Sequence, residues 1–433
     1  MSYVQVIRDR NFAKLWVSQI LSLTAQNLLN FALIIRIFDL TQGGRFANLA
    51  VAMLILSFGI PAVLFSSLAG VYVDHWDRKR VLVVSNVVRT ILVLGFLIFE
   101  HNLVIVLFLA FLISTATQFF APAEAASIPQ VSKPANLVKA NGLFVTTFYA
   151  TFIIGFSASA PLIDAFGPRS PYILASVFFG AATVFAIFLP FLGGRKSGKV
   201  SFSQLWRTAQ KDLRAGQKLV AHDPNLRYPI LQLMFVQGVI SIILTLAPAI
   251  SLALLRQPLQ KASLFLVLPA GTGMLLGVLF VGYLTKHFNK STLVKTGFMI
   301  AGTALILMGA SGLLYRMTAG HTLATPTQIK IIVASLLFVL GVMVAVISVA
   351  AQTLLHEMSE EHMRGTIFGV LYTLINLAAT VPVLFAGVLA DTLSVTKVIE
   401  LTGLVVVLFA LGQIVRHKSI EKLSEQSLQR RSR

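Results

Sequence analysis

The apolar positions of this chain form long continuous stretches, and the polar positions fall in short segments between them. Each apolar stretch is about 20 residues or longer, which is enough for a helix to cross the hydrocarbon core of a bilayer. Stretches of this length predict membrane-spanning helices rather than the strands of a barrel. Twelve of them lie at about 14–38, 48–71, 81–100, 103–121, 138–164, 170–192, 226–254, 262–284, 293–315, 329–354, 365–390 and 397–415.

The composition supports an integral membrane protein. Of the 433 residues, 56% are hydrophobic and only 12% are charged, whereas a soluble domain has about 25% charged residues. The net charge of +19 could indicate nucleic-acid binding, but the basic residues lie in short loops without interleaved aromatic side chains, so we expect none. The absence of cysteine excludes disulfides and thiolate sites. No histidine or carboxylate cluster has metal-ligand spacing, so we expect neither a metal nor another cofactor.

Lysine and arginine are distributed unequally between alternate loops. If the N-terminus is cytoplasmic, 26 of them fall on the cytoplasmic side and seven on the other, with Arg36 and Arg89 inside helices. Because cytoplasmic loops are enriched in basic residues, this pattern predicts that both termini are cytoplasmic. The predicted location of this multi-pass protein is the inner or plasma membrane of the cell.

One long polar segment divides the twelve stretches into six and six. Its seven basic residues, with apolar residues between them, are typical of an amphipathic helix at the inner membrane surface. We expect the end of the chain to be disordered beyond Leu428. The predicted units are an N-terminal six-helix bundle (1–192), a cytoplasmic linker (193–225), a C-terminal six-helix bundle (226–415) and a cytoplasmic tail (416–433).

The two halves resemble each other in sequence. After the second stretch comes Gly70, followed by Asp74 and a basic cluster; after the eighth comes Gly282, followed by Lys286 and Lys290. Two similar six-helix halves joined by a cytoplasmic linker predict a transporter that works by alternating access.

The polar segment after the second stretch carries the most specific pattern. Gly70 is followed four residues later by Asp74, on the same helical face, and then by the basic cluster Arg78, Lys79 and Arg80. We expect Gly70 to let the second helix pack closely against a neighbour. We expect the Asp74 carboxylate to brace the end of a helix of the other half, as a gate residue. The alternative is an ordinary positively charged loop.

These residues resemble the loop 2–3 signature of the major facilitator superfamily: glycine, three residues, aspartate, arginine, one residue, glycine and a basic pair. His75 and Asp77 stand where that signature has arginine and glycine. Phe120–Pro129 and Ala140–Gly142 resemble the macrolide-efflux and siderophore-export proteins of its drug:proton antiporter branch. The resemblance implies an all-α integral membrane fold of twelve transmembrane helices in two pseudo-symmetric six-helix bundles. It also implies proton-driven export.

Polar side chains recur on single faces of three helices, and aromatic residues lie on a fourth. Amides in hydrocarbon are unfavourable unless they meet partners or a water-filled cavity. Interhelical hydrogen bonding explains any one of them equally well, and the aromatic residues individually are more often packing. The predicted substrate cavity comprises Gln19, Gln26 and Asn30 of the first helix, Phe148, Tyr149 and Phe152 of the fifth, Gln237 and Ser241 of the seventh, and Tyr372 and Asn376 of the eleventh.

Charged residues in or near the membrane are candidates for energy coupling. Arg89 lies inside the third helix, and we expect it to pair with Glu124 at the inner end of the fourth, because an intramembrane arginine needs a partner. None of the sixteen carboxylates falls at mid-membrane. A proton antiporter needs a carboxylate that titrates as access alternates; the candidates are Glu124, Asp74 and, at the outer end of the first helix, Asp39. The alternative is a permanently ionised Glu124 that serves only as a structural partner.

These observations predict a secondary exporter of amphipathic small molecules, drug-, macrolide- or siderophore-like, that acts in multidrug resistance by proton antiport. The alternative is a lipid or lysophospholipid transporter of the same fold. An enzyme would need a cluster of catalytic residues near one membrane face, and a channel would need a continuous polar lining; the sequence favours neither. The expected partners are the lipid bilayer, a small amphipathic substrate and protons, with the proton gradient in place of a cofactor, and we expect a monomer.

Overall fold

The structure, a computed structural model, describes residues 6–133, 136–193, 218, 223–257, 263–317, 325–358 and 364–431. Within these ranges, twelve helices are long and apolar enough to cross a membrane, in agreement with the twelve predicted stretches. The amphipathic helix predicted for the linker falls outside the described ranges, apart from single residues. That part of the domain division therefore stays a prediction.

The twelve helices follow one another in two sets of six. Two π-helical turns, Ser251–Leu255 and Ser263–Val267, flank the connection between the seventh and eighth helices. The helices are α1 (Arg10–Thr41), α2 (Ala47–His75), α3 (Arg78–Phe99), α4 (Leu103–Val131), α5 (Leu137–Phe166), α6 (Ser170–Ile187), α7 (Pro224–Ile250), α8 (Leu268–His287), α9 (Lys290–Met317), α10 (Pro326–Met358), α11 (Arg364–Thr392) and α12 (Val395–Arg431).

The last helix extends further than the hydrophobic pattern indicated. The backbone of α12 is helical to Arg431, past Leu428, after which the sequence predicted disorder. Residues 416–431 contain neither glycine nor proline, and nothing in them stops a helix that has already begun in the membrane.

Each half is a six-helix bundle. In the first half, α1 packs against α5 and α6, and α4 packs against α2 and α3. In the second half, α7 packs against α11, and α10 packs against α8 and α9. One correspondence fails: α6 lies along both α1 and α3, whereas α12 lies along α9 and contacts α7 only slightly. A groove of about 630 Å³, lined almost entirely by apolar side chains, lies between α7, α11 and α12.

The halves meet mainly where α2 packs against α11, with a second contact between α5 and the start of α8. Because successive helices run in opposite directions, α2 begins where α11 ends. We call the end of the bundle with Asn48 and Asp391 the closed end. The end with the loop from Arg78 to Arg80 is called the basic end. Pro61 of α2 and Pro382 of α11 lie inside their helices, near the middle of the bundle.

Candidate functional site

The closed end is held by a carboxylate that reaches from one half to the other. Asp391, in the last turn of α11, accepts hydrogen bonds through Oδ1 from the backbone N of Asn48 (3.1 Å) and from its Nδ2 (2.7 Å). Its Oδ2 accepts from the backbone N of Leu49 at 2.9 Å. Three hydrogen bonds accepted by one side chain therefore join the two halves at the start of α2.

Small residues bring α2 and α11 into close contact below this carboxylate. A Cβ atom added to Gly387 would lie 2.9 Å from the Cβ of Ala52 and 3.0 Å from the carbonyl oxygen of Asn48. One added to Gly59 would lie 2.5 Å from the Thr380 hydroxyl oxygen. Such distances are shorter than real Cβ contacts, so these glycines allow an approach that larger residues would prevent.

The basic end differs at the corresponding glycines. A Cβ atom added to Gly70 would meet no atom within 4 Å, and the same holds for Gly282. The expectation that Gly70 lets α2 pack closely against a neighbour is therefore wrong for this conformation. The two halves are in contact at the closed end and in the middle, and these glycines at the basic end face open space.

Asp77 organises the loop at the basic end. Its Oδ1 accepts from the backbone N of Lys79 (3.1 Å) and of Leu192 (3.3 Å), so it caps α3 and ties the loop to the end of the first bundle. Arg80 Nε lies 3.7 Å from Asp77 Oδ2, and Arg78 N donates to Leu192 O at 3.0 Å. Sequence reasoning treated Asp77 only as a departure from a motif, although aspartate directly before a helix is a common N-cap.

Two predicted gate and cavity residues have side chains outside the described part of the structure. These are Asp74, whose backbone lies in the last turn of α2, and Tyr372 of α11. Their predicted roles stay predictions.

A buried polar cluster around Arg89 joins α1 and α3 and packs against aromatic rings of α4 and α6. The Arg89 side chain is 1% exposed, and its guanidinium lies over the rings of Phe120 and Phe179, at 4.2 and 4.7 Å from their centroids. It donates to Asn86 Oδ1 at 2.6 Å, and Ser22 Oγ donates to the same oxygen at 3.2 Å. Two aromatic faces and an amide oxygen thus accommodate a charge in an apolar environment.

Glu124 lies in this region but is not bonded to Arg89. It is 9% exposed, and its Oε1 has no hydrogen-bond partner among the described residues. The two side chains are near enough to interact electrostatically, but they form no ion pair among the described residues. The predicted direct pair is therefore not formed in this conformation; the arginine donates to Asn86 Oδ1 and, through Nε, to Ser85 O at 3.3 Å.

Asp39 belongs to a charged cluster at the closed end. Its carboxylate lies 3.7 Å from Arg36 NH1 and accepts from Gln42 Nε2 at 2.8 Å. Beside it, Arg169 Nε contacts the buried Glu100 Oε1 at 2.8 Å. All of these partners belong to the first half, so the cluster stabilises that half rather than the contact between halves. Sequence reasoning missed Glu100, which ends the third apolar stretch.

The predicted cavity residues of α1 are largely engaged with one another or with neighbouring helices. Gln19 is buried, and its Nε2 donates to Phe144 O at 3.4 Å. Gln26 Nε2 donates to Asn30 Oδ1 at 2.8 Å, and Thr117 of α4 donates to Gln26 Oε1 at 3.2 Å. Interhelical bonding, the alternative considered for this face, accounts for the α1–α4 contact.

The remaining predicted cavity residues are spread over several environments. Phe152 lines a small apolar cavity of about 80 Å³ between the two halves, together with residues of α7, α8 and α10. Phe148 is exposed and its ring packs edge-on against Tyr149. Gln237 and Asn376 are half-buried and Ser241 is buried. The structure does not gather these residues into one of the grooves or cavities described here.

Comparison with known proteins decides the family. A family model described as the Major Facilitator Superfamily matches residues 15–381. The chain belongs to the major facilitator superfamily. Among its relatives is macrolide efflux protein A of Streptococcus pyogenes, 22% identical over 408 residues, which is 92% of this chain and 94% of that protein. An uncharacterised MFS-type transporter of Bacillus subtilis, YkuC, is 24% identical over 328 residues, 72% of this chain and 73% of that protein.

Solved structures show the same fold at low sequence identity. The nucleoside transporter NupG superposes with a TM-score of 0.71 at 13% identity, covering 94% of this chain and 99% of that one. The POT family transporter PepTSo superposes with a TM-score of 0.71 at 14% identity, covering 96% and 99%. This superfamily member is therefore a multi-pass membrane protein with the major facilitator fold, as the loop 2–3 resemblance implied.

Proposed function

We propose that this superfamily member is a secondary exporter of amphipathic small molecules, such as macrolides, that works by alternating access. The observation that carries the proposal is the similarity to macrolide efflux protein A, which extends over 92% of this chain. The asymmetric contact between the halves is consistent with it, because alternating access requires each end to close in turn.

The orientation and location belong to the same proposal. The excess of basic residues supports a cytoplasmic basic end with both termini inside, and hence a closed end that faces outward in the cell membrane. The conformation described here would then be open toward the cytoplasm, ready to receive substrate. A reporter enzyme that is active only in the cytoplasm can be fused after Arg433, and we expect this fusion to be active.

Proton coupling through Glu124 is the proposed energy source. The carboxylate is buried in the region of Arg89, and its Oε1 has no hydrogen-bond partner in the described ranges. A carboxylate that is shielded in one state and hydrated in another can bind and release a proton during the cycle. The proton gradient and a small amphipathic substrate are then the partners that transport requires, and a monomer is sufficient because the two halves of one chain form the pathway.

A lysophospholipid transporter is the second candidate, and the lateral grooves favour it. Besides the groove at α7, α11 and α12, one of about 840 Å³ lies between α3 and α4, with Trp76, Asp77 and Arg80 at its basic end. An apolar groove with a cation and a carboxylate at one end has room for an acyl chain and a zwitterionic headgroup. This candidate differs from the first in the substrate, not in the fold.

Transport by the purified chain in proteoliposomes tests both candidates. The probes are a radiolabelled macrolide, a cationic dye and a fluorescent lysophospholipid, each with and without an imposed pH gradient. We expect gradient-dependent accumulation of the macrolide or dye that a protonophore abolishes. Transport of the lysophospholipid alone would replace the first candidate by the second, and movement of no probe would contradict both.

Replacement of Glu124 by glutamine separates coupling from transport itself. In Glu124→Gln we expect gradient-driven accumulation to fall at least about tenfold, while exchange of labelled for unlabelled substrate at equal pH persists. The matched control is Asp164→Asn, which removes an exposed carboxylate at the closed end. Accumulation by Glu124→Gln at the wild-type level would show that this residue is not the coupling site.

A further inference from the structure

The start of α2 lacks a cap of its own. Its N-cap residue is Phe46, whose side chain makes no capping hydrogen bond. The first N–H groups of a helix have no partner within the helix and need one from elsewhere. In most helices a serine, threonine, aspartate or asparagine at the N-cap position accepts from the N–H of the second or third helical residue.

The other half of the protein supplies that cap. Asn48 and Leu49 are the second and third residues of α2, and their N–H groups are the two backbone donors that Asp391 accepts. The carboxylate also lies at the positive end of the α2 dipole, where a negative charge is favourable. Asp391 thus occupies the role of an N-cap residue, although it comes from the last turn of α11.

We propose that Asp391 is a gate residue: its capping of α2 across the two halves stabilises the conformation in which the closed end is shut. The cap can exist only while the ends of α2 and α11 are in contact. When the halves part, the N–H groups of Asn48 and Leu49 and the carboxylate must all be hydrated instead. The interaction therefore distinguishes one transport state from the other, which a cap within a single helix cannot do.

The position of Asp391 mirrors that of Asp74 on the same pair of helices. Asp74 lies in the last turn of α2 at the basic end, and Asp391 lies in the last turn of α11 at the closed end. Thus α2 ends with Asp74 at the basic end, where α11 begins, and α11 ends with Asp391 at the closed end, where α2 begins. The inference depends on alternating access by this superfamily member and not on the proposed cargo or on proton coupling.

The test measures the conformation directly, without a substrate. Because the chain has no cysteine, spin labels can be attached to introduced cysteines alone. One pair, Phe166→Cys with Leu393→Cys, reports across the closed end, and a second pair, Lys133→Cys with Phe288→Cys, reports across the basic end. Distance distributions from pulsed electron resonance are compared for each pair with and without a change at Asp391.

In Asp391→Asn we expect the ratio of molecules with the closed end shut to molecules with it open to fall about tenfold, because the change removes the negative charge at the start of α2 and one of the two acceptor oxygens. The closed-end distances should lengthen and the basic-end distances should shorten together. This reciprocal change distinguishes a gate residue from one that only stabilises the fold. Asn48→Ala, which removes one of the three donors, should shift both distributions in the same directions but less.

Asp164→Asn is the matched control, since it removes an exposed carboxylate from the same end without a contact between the halves. Its distributions should match those of the wild type. If Asp391→Asn also matches the wild type at both ends, Asp391 is not a gate residue. If that variant does not fold, Asn48→Ala and Asn48→Asp replace it as the test. Asn48→Asp places two carboxylates together and should open the closed end most. Unchanged distances in both variants would reject the proposal.

Discussion

The two ends of the α2–α11 pair differ in how closely the helices approach. At the closed end, Gly387 lies against Ala52 and Asn48, and Asp391 caps α2 across the halves. At the basic end, a Cβ on Gly70 would meet nothing within 4 Å. The same two helices therefore make a tight contact at one end and leave open space at the other. Whether a glycine of this fold allows close helix packing therefore depends on which end of the protein is shut.

The largest effect on the conformational equilibrium is expected from a bulky side chain at Gly387. Gly387→Leu would place its Cβ 2.9 Å from Ala52, so the closed end can shut only with a distortion that typically costs about 1–3 kcal/mol. We expect this variant to populate the conformation with the closed end open. Gly70→Leu should leave the present conformation unchanged, because its added atoms meet open space.

Transport measurements on the Gly70 variant test the role of this glycine in the opposite conformation, with the basic end shut. If Gly70 is needed for close packing when the basic end shuts, Gly70→Leu should lose most transport while keeping wild-type distances in the absence of substrate. The measurements are the spin-label distances described above and uptake into proteoliposomes. Equal distance changes in Gly387→Leu and Gly70→Leu would contradict the assignment of a closed and an open end.

The largest effect on stability, as distinct from conformation, is expected from the buried arginine. Arg89→Ala removes two cation–π contacts and a charged hydrogen bond, and we expect a loss of about 3 kcal/mol in the free energy of unfolding. The matched control is Arg80→Ala, whose side chain is 86% exposed and should change stability by less than about 1 kcal/mol. Thermal unfolding in detergent measures both; similar values for the two variants would contradict the structural role of Arg89.

The smallest effect is expected at the loop of the basic end. Asp77→Ala removes the cap of α3, and we expect a loss of about 1 kcal/mol in the same thermal measurement. Asp77→Asn keeps an oxygen acceptor and should lose less. An alanine variant as stable as the wild type would show that the contacts of Asp77 with Lys79 and Leu192 do not contribute to folding.

The fold followed from the sequence because a bilayer imposes a length on each apolar stretch. The polar segments near Arg78 and Lys290 marked helix ends well, since charged residues are unfavourable in hydrocarbon. The extent of α12 was not predictable from hydropathy, because its last turns are polar and their helical form depends on backbone propensity alone.

The site was less accessible to sequence reasoning. Arg89 was correctly expected to need partners, but its partners proved to be Asn86 and two aromatic rings. Aromatic rings can accommodate a buried charge, and hydropathy does not distinguish such rings from aromatic residues that only pack in the core. Asp391 gave no local signal, because the helix that it caps lies more than 340 residues away in the chain. Only the arrangement of the two halves brings them together.

A disulfide across the closed end tests the central claim, that transport requires α2 and α11 to part there. Cysteines introduced by Ala52→Cys and Gly387→Cys would have Cβ atoms 2.9 Å apart, closer than the roughly 3.5–4.5 Å of a disulfide. A small separation of the two helices therefore lets the bond form while it still holds the closed end together. We expect the oxidised double variant to retain less than about a tenth of the wild-type transport of a probe that the wild type moves, with recovery after reduction. Each single variant should be insensitive to oxidation. Full transport by the cross-linked protein would contradict the account.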